Sequence, residues 1–434
     1  MRSSLPKVLH RVADRALLSH AMHAAMDAGS DAIAVVVGNG SDKVETEAKN
    51  TFPDAAIYLQ TERLGTAHAV LSAREALDGS QDDILIIFGD TPLLKPETLL
   101  MMRKLLADGA TVAALGFRTN TPDGYGRFIE DNGSLVRIVE HKDASDDERK
   151  IGFCNGGIMA ISGKHALKLL EKVGNDNANS EYYLPDVVAI AHAEGLEVVA
   201  AEAPEEELMG VNNRAELAIA ERLWQQNKRN ELLLSGVTMI APETVYLSAD
   251  TEIEADVTLE PNIVFGQNVK IASGTRIKAF CHIEGANIGA NADIGPYARL
   301  RPGSVLHENA KVGNFVETKK AEIHAGAKVN HLTYIGDAQV GAAANIGAGT
   351  ITCNYDGMNK HLTEIGEGAF VGSNSSLVAP VKIGKGAYVA SGSVITEDIP
   401  EDAMGVARSI QTNKPGYASR IRDRNAALKK RRSE

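Results

Sequence analysis

Hydrophobic positions recur every six residues through the second half of the chain, from Ile253 to Ile395. A period of six matches neither an α-helix nor a single long strand, whose periods are about 3.6 and 2 residues. It is typical of a chain that forms a short strand, turns, and begins another strand, with one apolar residue pointing inward each time. The pattern therefore predicts a parallel β-helix of hexapeptide repeats. The repeated positions are Ile253, Leu259, Phe265, Ile271, Ile277, Ile283, Ile288, Ile294, Leu300, Leu306, Val312, Ile323, Val329, Ile335, Val340, Ile346, Ile365, Val371, Leu377, Ile383, Val389 and Ile395.

The first half of the chain follows a different pattern, in which apolar β-rich runs alternate with helical stretches. This alternation predicts an α/β domain with a mostly parallel sheet covered by helices on both faces. Ligands in such sheets bind at the carboxyl ends of the strands. The predicted strands are 32–37, 84–88, 111–116, 157–161 and 196–200, and the predicted helices are 17–28, 66–77 and 96–107.

Three segments follow from these patterns. We predict an α/β domain at 1–212, a linker helix at 213–235, and a repeat domain with a C-terminal tail at 236–434. A break in the repeat at 353–362 predicts a loop inserted between two coils. The basic segment 420–432 fits either a solvated helix or disordered end, or a contact with an anionic cofactor.

Composition narrows the functional classes. A formal net charge of −12 argues against nucleic acid as the main partner. No apolar run reaches the length of a membrane span, and no signal peptide is evident. The three cysteines, Cys154, Cys281 and Cys353, are far apart and odd in number, so we expect free thiols in a cytoplasmic protein.

Four short segments of the first domain have the residue types that bind nucleotides. Lys7 follows a proline-fixed turn, and Gly65-Thr66 precedes a predicted helix, where backbone N–H groups can meet a base or a phosphate. Asp90 comes at the carboxyl end of a strand, a common position for a carboxylate that holds Mg²⁺ on a triphosphate. Asn212 offers a neutral oxygen ligand near the end of the domain.

The repeat domain has a small number of polar departures from its apolar pattern. Charge at 314–320 takes the place of an expected apolar position. Arg301, Lys319 and His331 are separated by 18 and 12 residues, multiples of six that place them on one face or on adjacent faces. A basic cluster of this kind suits a sugar phosphate. A histidine side chain titrates near neutral pH and can accept a proton from an amine, and Glu317 is a candidate to orient His331.

The order and spacing of these motifs resemble the sugar nucleotidyltransferase family, and within it the bifunctional enzymes that combine an N-acetylglucosamine-1-phosphate uridyltransferase with a glucosamine-1-phosphate N-acetyltransferase. The resemblance covers nearly the whole chain. It implies a Rossmann-like nucleotidyltransferase domain followed by a left-handed parallel β-helix, and a homotrimer. Further motifs that contribute to it are Tyr125-Gly126-Arg127, Glu140-His141-Lys142-Asp143, Asn155-Gly156-Gly157, Glu181-Tyr182-Tyr183 and Val211-Asn212-Asn213-Arg214.

For the first domain, the resemblance implies attack of a sugar-1-phosphate oxygen on the α-phosphorus of UTP, with release of pyrophosphate. The protein would position the substrates and neutralise charge, with Mg²⁺ as cofactor. The implied residues are Lys7 for phosphate; Gln60, Gly65 and Thr66 for uracil; Phe88, Gly89 and Asp90 at the strand end; Gly126, Glu140 and Asn155 for N-acetylglucosamine; and Asp90 with Asn212 for Mg²⁺.

One feature of this domain departs from the family pattern. Family members open with an apolar strand and a glycine-rich loop of the type L-A-A-G-x-G-T-R-M, whereas this sequence begins with Met1-Arg2-Ser3-Ser4-Leu5-Pro6-Lys7. We therefore expect the first strand of the sheet to be missing, a natural start upstream of Met1, and weak or absent uridyltransferase activity in a 434-residue product.

For the repeat domain, the resemblance implies acetyl transfer from acetyl-CoA to the amino group of glucosamine-1-phosphate, with His331 as general base. The implied substrate-binding residues are Arg301, Lys319, Tyr334, Asn345, Asn354 and Tyr355, and the implied acetyl-CoA residues are Ala348, Ser373, Ser391 and Arg408.

Three alternatives remain open from the sequence. The chain could act only as an acetyltransferase, because the glycine-rich loop is absent. It could be a non-catalytic β-helix scaffold, or a nucleotidyltransferase for another sugar whose repeat serves only assembly. The set of Arg301, Lys319, His331 and Tyr334 argues against the last two.

Overall fold

The first unit, Met1–Leu234 with Tyr246–Thr251, is built around a mixed β-sheet with helices packed against it. The structure is a computed structural model that describes residues 1–38, 40–78, 82–131 and 133–433. The strands are β1 (Arg11–Val12), β2 (Arg15–Ala16), β3 (Ala34–Gly38), β4 (Ala56–Gln60), β5 (Ile84–Ile86), β6 (Val112–Arg118), β7 (Arg127–Asp131), β8 (Ser134–Val139), β9 (Phe153–Ile161) and β10 (Val198–Glu202). The helices are α1 (Leu17–Asp27), α2 (Asp42–Thr51), α3 (Thr66–Leu71), α4 (Arg74–Leu77), α5 (Pro96–Ala107), α6 (Gly163–Leu170), α7 (Asp186–Ala193) and α8 (Arg214–Leu234).

The main sheet of this unit has the order β10–β6–β9–β7–β8, with β5 paired to β9. The prediction of a mostly parallel sheet is wrong. Strand β10 runs parallel to β6, but β9 runs antiparallel to both β5 and β6. The chain enters β9 after the antiparallel β7–β8 hairpin rather than through a helical crossover, so β9 has the opposite direction to its neighbours.

Strands β3 and β4 pair in parallel and form a separate two-stranded sheet. Within the described residues, β3 hydrogen-bonds to β4 and not to β5. Side chains of α1 and α2 cover this small sheet, with Met22, Val35, Val37 and Ala48 buried in one apolar cluster. Burial of those side chains fixes the β3–β4 pair to the helices beside it.

Two predicted helices differ in detail from the observed ones. The helix expected at 66–77 is divided into α3 and α4, and the Ser72 hydroxyl at the break donates to the His68 carbonyl, 3.0 Å away. Such a bond competes with the helical ladder and bends the chain. Helix α8 begins after Asn213, whose side-chain oxygen accepts from the backbone N–H groups of Ala215 and Glu216 at 2.9 and 3.0 Å. The structure groups α8 with the first unit.

The second unit, Ser235–Val245 with Glu252–Glu434, is a parallel β-helix with three strand-bearing faces. The first face contains Thr238–Met239, Thr258–Leu259, Arg276–Ile277, Asp293–Ile294, Lys311–Asn314, Lys328–His331, Asn345–Ile346, Phe370–Val371, Tyr388–Val389 and Met404–Gly405. The second contains Ile263–Phe265, His282–Ile283, Arg299–Leu300, Ile351–Cys353, Ser376–Val378 and Val394–Ile395. The third contains Glu252–Ile253, Val269–Ile271, Ala286–Ile288, Ser304–Leu306, Thr363–Ile365 and Val381–Ile383. Glu317–Ile323 and Tyr334–Val340 each span the second and third faces, and Val245–Tyr246 lies at the boundary of the units.

The core of the β-helix consists of the apolar residues that repeat every six positions. Apart from Ile253, which is half-buried, every residue of the predicted series is buried. Strand pairing relates Leu300 to Thr318 and Thr318 to Ile335, so one coil advances by 18 or 17 residues. Because strands of neighbouring coils are hydrogen-bonded to each other, the coils are separated by the strand spacing of about 4.8 Å. The prediction of an α/β domain followed by a parallel β-helix is confirmed, consistent with the left-handed sense that the resemblance implies.

The prediction that charge replaces an inward apolar position near 314–320 is wrong. Thr318 fills that position, is fully buried, and shares a 2.8 Å hydrogen bond with the Ser304 hydroxyl of the preceding coil. Glu317 and Lys319 flank it and point outward, because side chains alternate along a strand. The polar inward residue is thus accommodated by a hydrogen bond, and the charges remain available outside.

Residues 354–362 form a loop between Ile351–Cys353 and Thr363–Ile365, where the sequence predicts an insertion. Helix α9 (Tyr417–Ser433) follows the last coil, and residues 417–432 are exposed along its length. Its last turn is basic, with Lys430, Arg431 and Arg432. Among the described residues, no helix has the length and apolar character needed to cross a membrane.

Candidate active sites

In the first unit, Lys7 contacts both residues that were predicted to bind Mg²⁺, Asp90 and Asn212. Its ammonium group forms an ion pair with the Asp90 carboxylate and donates to the Asn212 side-chain oxygen 3.0 Å away. The Val211 N–H donates to the Asp90 carbonyl at 3.0 Å, which ties the segment before α8 to the turn that follows β5. These three residues lie far apart in sequence, and the fold brings their polar atoms to one point.

The segment predicted to hold the base surrounds the start of α3. Gly65 has φ +116° and lies directly before Thr66, the first residue of the helix. The Gln60 amide donates to the Gly65 carbonyl at 3.2 Å, and the Thr66 hydroxyl accepts from the Leu184 N–H at 2.9 Å. The backbone of Tyr182 is hydrogen-bonded on both sides of this turn. Its N–H donates to the Leu64 carbonyl at 2.8 Å, and its carbonyl accepts from the Ala67 N–H at 2.9 Å. The turn is therefore held by the segment that contains Tyr182.

Gly65→Ala is expected to lower the uridyl transfer that the resemblance implies by about 100-fold, the order of effect of a 1 Å misplacement near a reacting group. A Cβ at position 65 would lie 2.5 Å from the Tyr182 carbonyl oxygen, so the turn or the opposing segment must move. Gly109→Ala is a matched control, since Gly109 has the same φ of +116° but open space around it. Pyrophosphate release measured for both variants checks this, and equal rates would show that the contact with Tyr182 is unimportant.

A cavity of about 360 Å³ lies next to this turn. Four of the predicted residues line it: Thr66, Phe88, Glu140 and Asn155. Gly126 stands directly behind the cavity wall, because a Cβ there would meet Glu140 Oε1 at 3.2 Å and Asn155 Cβ at 3.3 Å. The predicted sugar-binding residues therefore converge in one place, beside the predicted base-binding turn.

Glu140 is the titratable group in this cavity with the most informative environment. Burial raises the pKa of its carboxyl above the usual value, and the negative charges of Asp143 and Asp186 raise the pKa further. The guanidinium of Arg127, which is fully buried, opposes them. The carboxyl is thus held where it can accept hydrogen bonds from a neutral sugar, at a cost in stability when it is charged.

Glu140→Gln is expected to raise the melting temperature of the first unit at pH 7.5 by about 2–4 °C, equivalent to about 1 kcal/mol. The folded pKa of Glu140 lies above its unfolded value. The stability that the protonated carboxyl contributes is therefore fully present below the unfolded pKa. It is lost as the pH rises through the folded pKa, because the buried carboxyl then becomes charged. The advantage of the variant should accordingly vanish near pH 4. Thermal melting at both pH values tests this, with the exposed Glu206→Gln as control; a difference that persists at pH 4 would contradict the burial argument.

Several residues that line the cavity received no role in the sequence prediction. The clearest are His141, Lys142, Asn179, Glu181 and Tyr183. Lys142 donates to the Asn179 side-chain oxygen at 3.1 Å, and the Asn179 amide donates to the Tyr183 hydroxyl at 2.7 Å. Except for Asn179, they belong to motifs already noted in the sequence, so motif membership was the available signal. Their assembly into one polar wall depends on tertiary contacts.

In the second unit, the predicted phosphate-binding cations share one face of the β-helix. Arg301 and Lys319 occupy the same position in consecutive coils of the second face, since Leu300 pairs with Thr318. Arg301 forms a 2.7 Å ion pair with Glu317, which raises the pKa of the guanidinium. Tyr334 follows one coil later, paired with Glu317. These side chains form an outward-facing polar strip that is suited to a phosphate.

His331 lies at the corner between the first and second faces and is exposed. Its Nδ1 is 2.6 Å from the side-chain oxygen of Asn314, the residue paired with it in the preceding coil. The expectation that Glu317 orients His331 is therefore wrong. Glu317 lies beyond the corner on the second face and pairs with Arg301, whereas Asn314 is 17 residues before His331, one coil away in register.

The residues predicted to bind acetyl-CoA follow His331 along this corner. The carbonyl groups of His331, Ala348 and Ser373 each accept a backbone hydrogen bond from the next coil. The donors are the N–H groups that directly follow Ala348, Ser373 and Ser391, at 3.1, 2.8 and 2.8 Å. They therefore form one column, with a spacing of about 4.8 Å per coil. Arg408 lies beyond the final strand and is exposed. The column is long enough to contact an extended ligand.

The remaining predicted residues lie beside this column or on the inserted loop. Asn345 points outward from the first face in the coil after His331. Asn354 is buried and donates to the Asp337 carboxylate, so it anchors the start of the loop. Tyr355 is exposed, with the Lys360 ammonium 4.2 Å from its ring centre. The loop is thus ordered by its own contacts and presents polar groups.

Comparison with known proteins covers both units. Residues 1–207 match the MobA-like NTP transferase domain, and residues 362–397 match the bacterial transferase hexapeptide (six repeats). The bifunctional protein GlmU of Chelativorans sp. (strain BNC1) is 59% identical over 434 residues, covering 100% of this chain and 96% of that protein. Those of Agrobacterium fabrum and Bartonella quintana are 56% and 54% identical, covering 99% and 98% of this chain and 95% of each relative.

Proposed function

Since this chain belongs to the GlmU family of bifunctional proteins, we propose that each of its two units holds one of the two active sites. The chain is a bifunctional transferase that forms UDP-N-acetylglucosamine. It transfers an acetyl group from acetyl-CoA to glucosamine-1-phosphate, and a uridylyl group from UTP to N-acetylglucosamine-1-phosphate. The observation that carries this conclusion is the identity of 54–59% along nearly the whole chain, which spans both units.

For uridyl transfer, the first unit would position two substrates and neutralise their charge. The turn at Gly65 and Thr66 faces the uracil, and the cavity lined by Glu140 and Asn155 takes the sugar. Lys7 lies where it can contact a phosphate oxygen. Holding the sugar phosphate in line with the α-phosphorus of UTP makes the attack effectively unimolecular, so no protein nucleophile is required.

The residues proposed for Mg²⁺ fit a hard divalent cation. Carboxylate and amide oxygens of Asp90 and Asn212 both point at one cation, the Lys7 ammonium. Mg²⁺ at triphosphates is usually bound by one or two protein oxygens together with substrate phosphates and water molecules. When bound, the ion would neutralise phosphate charge. The Asp90 and Asn212 oxygens would hold it, and Lys7 would turn to a phosphate.

For acetyl transfer, His331 is the proposed general base. The Asn314 side-chain oxygen can only accept a hydrogen bond, so Nδ1 of His331 donates the 2.6 Å bond and Nε2 is left as the basic nitrogen. Nε2 would take a proton from the amino group of glucosamine-1-phosphate as that amine attacks the thioester. Arg301 and Lys319 would hold the sugar phosphate, and the column from Ala348 to Ser391 would contact acetyl-CoA.

Asn314→Ala is expected to lower kcat for acetyl transfer by about 10-fold with little change in the KM for either substrate, because the imidazole loses the bond that fixes its tautomer and orientation. Asn314→Asp, which keeps the acceptor, is expected to restore most of the rate. Glu317→Gln serves as comparison, since its partner is Arg301 and its effect should fall on the KM for the sugar phosphate. An unchanged kcat in Asn314→Ala would remove this role.

The oligomeric state is part of the proposal. Phe280, Tyr297 and Phe315 stack at one corner of the β-helix, with ring centres 4.8 and 5.0 Å apart, and all three are about half exposed. A stacked aromatic column on the surface supports association of β-helices in a homotrimer. Light scattering on the purified protein measures the mass directly, and a monomeric mass would contradict this proposal.

The other interpretations of the sequence are not favoured. A scaffold, an acetyltransferase alone, or a transferase for another sugar would each leave part of the full-length similarity unexplained. We propose a cytoplasmic location, because UTP and acetyl-CoA are intracellular substrates and Cys154, Cys281 and Cys353 are free thiols.

The test of the proposed function measures both half-reactions on the same preparation. With glucosamine-1-phosphate and acetyl-CoA, release of free thiol should follow acetyl transfer. With N-acetylglucosamine-1-phosphate, UTP and Mg²⁺, pyrophosphate should be released. Observation of both rates supports two working sites, and the absence of either rate would overturn the assignment for that unit.

A further inference from the structure

A second polar cluster lies on the β-helix, away from the corner that holds His331. It consists of His307, Glu322 and His324, all half-buried. Glu322 Oε1 is 2.9 Å from His307 Nε2 and 3.9 Å from His324 Nε2. The two imidazole rings stack with centres 4.8 Å apart and planes 5° from parallel. None of these residues contributes to the proposed reactions.

The histidines break a regular column of small residues. Gly289, Gly341 and Gly366 occupy the equivalent position in other coils. Like the histidines, each donates its backbone N–H to the carbonyl of a buried aliphatic residue in the next coil, which is Leu306, Ile365 and Ile383 respectively. A Cβ at Gly289 would lie 2.9 Å from the Glu308 backbone nitrogen, and one at Gly341 would lie 2.5 Å from that of Glu367. Side chains are therefore disfavoured at this column, yet two consecutive coils place histidine there.

The register of the strands explains why the three side chains meet. Leu306 pairs with Ile323, which sets His307 directly over His324. Glu322 and His324 lie on either side of the buried Ile323, and both point outward from the same stretch of chain. The cluster thus combines one residue from one coil with two residues from the next, and a ligand bound to all three would join the coils.

We propose that His307, Glu322 and His324 form a binding site for a borderline divalent transition metal such as Zn²⁺. The three ligand atoms lie within 4.8 Å of one another. Ligands around Zn²⁺, at about 2.0–2.2 Å from the metal, are separated by roughly 3.4 Å, so a ligand separation of up to 4.8 Å must shorten by at most about 1.4 Å. The stacked rings must also splay so that both Nε2 lone pairs converge, which the half-exposed side chains allow.

The chemistry of the ligands selects the metal. Two imidazoles and one carboxylate favour Zn²⁺, Ni²⁺ or Cu²⁺, whereas Mg²⁺ prefers oxygen ligands. Binding would displace the proton shared between His307 and Glu322, since a metal ligand must be deprotonated. This site would be independent of the oxygen ligands proposed for Mg²⁺ in the first unit. Its consequence would be a cross-link between consecutive coils.

The test is calorimetric titration of Zn²⁺ into the chelator-treated full chain, with excess Mg²⁺ in the buffer. We expect one Zn²⁺ per chain bound in the presence of excess Mg²⁺, and a loss of affinity of about 10–100-fold or more in His307→Ala and in His324→Ala. His192→Ala, which removes an exposed histidine from α7, is the control and should bind as the wild type does. Glu322→Gln provides a third variant that removes only the charge.

Spectroscopy provides a second readout. Co²⁺ bound at this site should give visible absorption bands that are absent in His324→Ala, while acetyl transfer by that variant shows that the β-helix is folded. The proposal is overturned if the wild type binds no Zn²⁺ at one equivalent. It is also overturned if the three variants and the control bind with equal affinity, because the metal would then be held elsewhere.

Discussion

Replacement of His331 by alanine is expected to lower acetyl transfer by about 10²–10⁴-fold and to leave uridyl transfer unchanged. The physical reason is the loss of the base that accepts the proton of the attacking amine. The side chain is exposed, and its hydrogen bond to Asn314 is its link to the preceding coil, so the fold should be retained. Thiol release from acetyl-CoA gives the rate.

The controls for this variant come from the chain itself. Uridyl transfer by the same preparation reports on integrity of the protein, and His192→Ala removes an exposed histidine in the other unit. His331→Gln separates the loss of a base from the loss of side-chain volume and should be as impaired as the alanine variant. Acetyl transfer within about threefold of the wild type in both variants would exclude His331 as the base.

Asp90→Asn is expected to lower uridyl transfer by about 10²–10³-fold, an effect typical of losing a charge that stabilises the transition state. The substitution keeps the shape of the side chain but removes the charge that pairs with Lys7. If Asp90 holds Mg²⁺, the concentration of Mg²⁺ needed for half-maximal rate should also rise. Acetyl transfer should be unaffected.

A second variant distinguishes metal binding from a structural role of Asp90. Lys7→Met removes the ion pair but leaves both oxygens of the proposed Mg²⁺ site. It should slow uridyl transfer without raising the Mg²⁺ requirement. If Asp90→Asn leaves the dependence of rate on Mg²⁺ unchanged, Asp90 is not a ligand of the ion, whatever the loss in rate.

The architecture of the second unit could be predicted because each coil repeats one local rule. One apolar residue in six must point inward, and those residues form the buried core. The first unit was predicted less completely. Alternation of apolar runs identified strands such as β6 and β9, but their direction depends on which segments pair, and the antiparallel insertion of β9 is a tertiary outcome.

The candidate sites show the same division between local and non-local information. Lys7, Asp90 and Asn212 were identified individually by residue type and position, and the fold brings them to one point. Asn314 was missed because its importance comes from register with His331 in the next coil. Thr318 was mistaken for a charged interruption because the sequence does not show that a hydroxyl partner, Ser304, lies one coil away.

The measurement that tests the central claim most directly is a mixing experiment with two variants. His331→Ala and Asp90→Asn are each supplied with glucosamine-1-phosphate, acetyl-CoA, UTP and Mg²⁺, and UDP-N-acetylglucosamine is measured by mass spectrometry. Separate active sites in the two units predict that each variant alone forms almost no product and that the mixture restores it. If the mixture is as inactive as the separate variants while both proteins remain folded, the assignment of one activity to each unit is wrong.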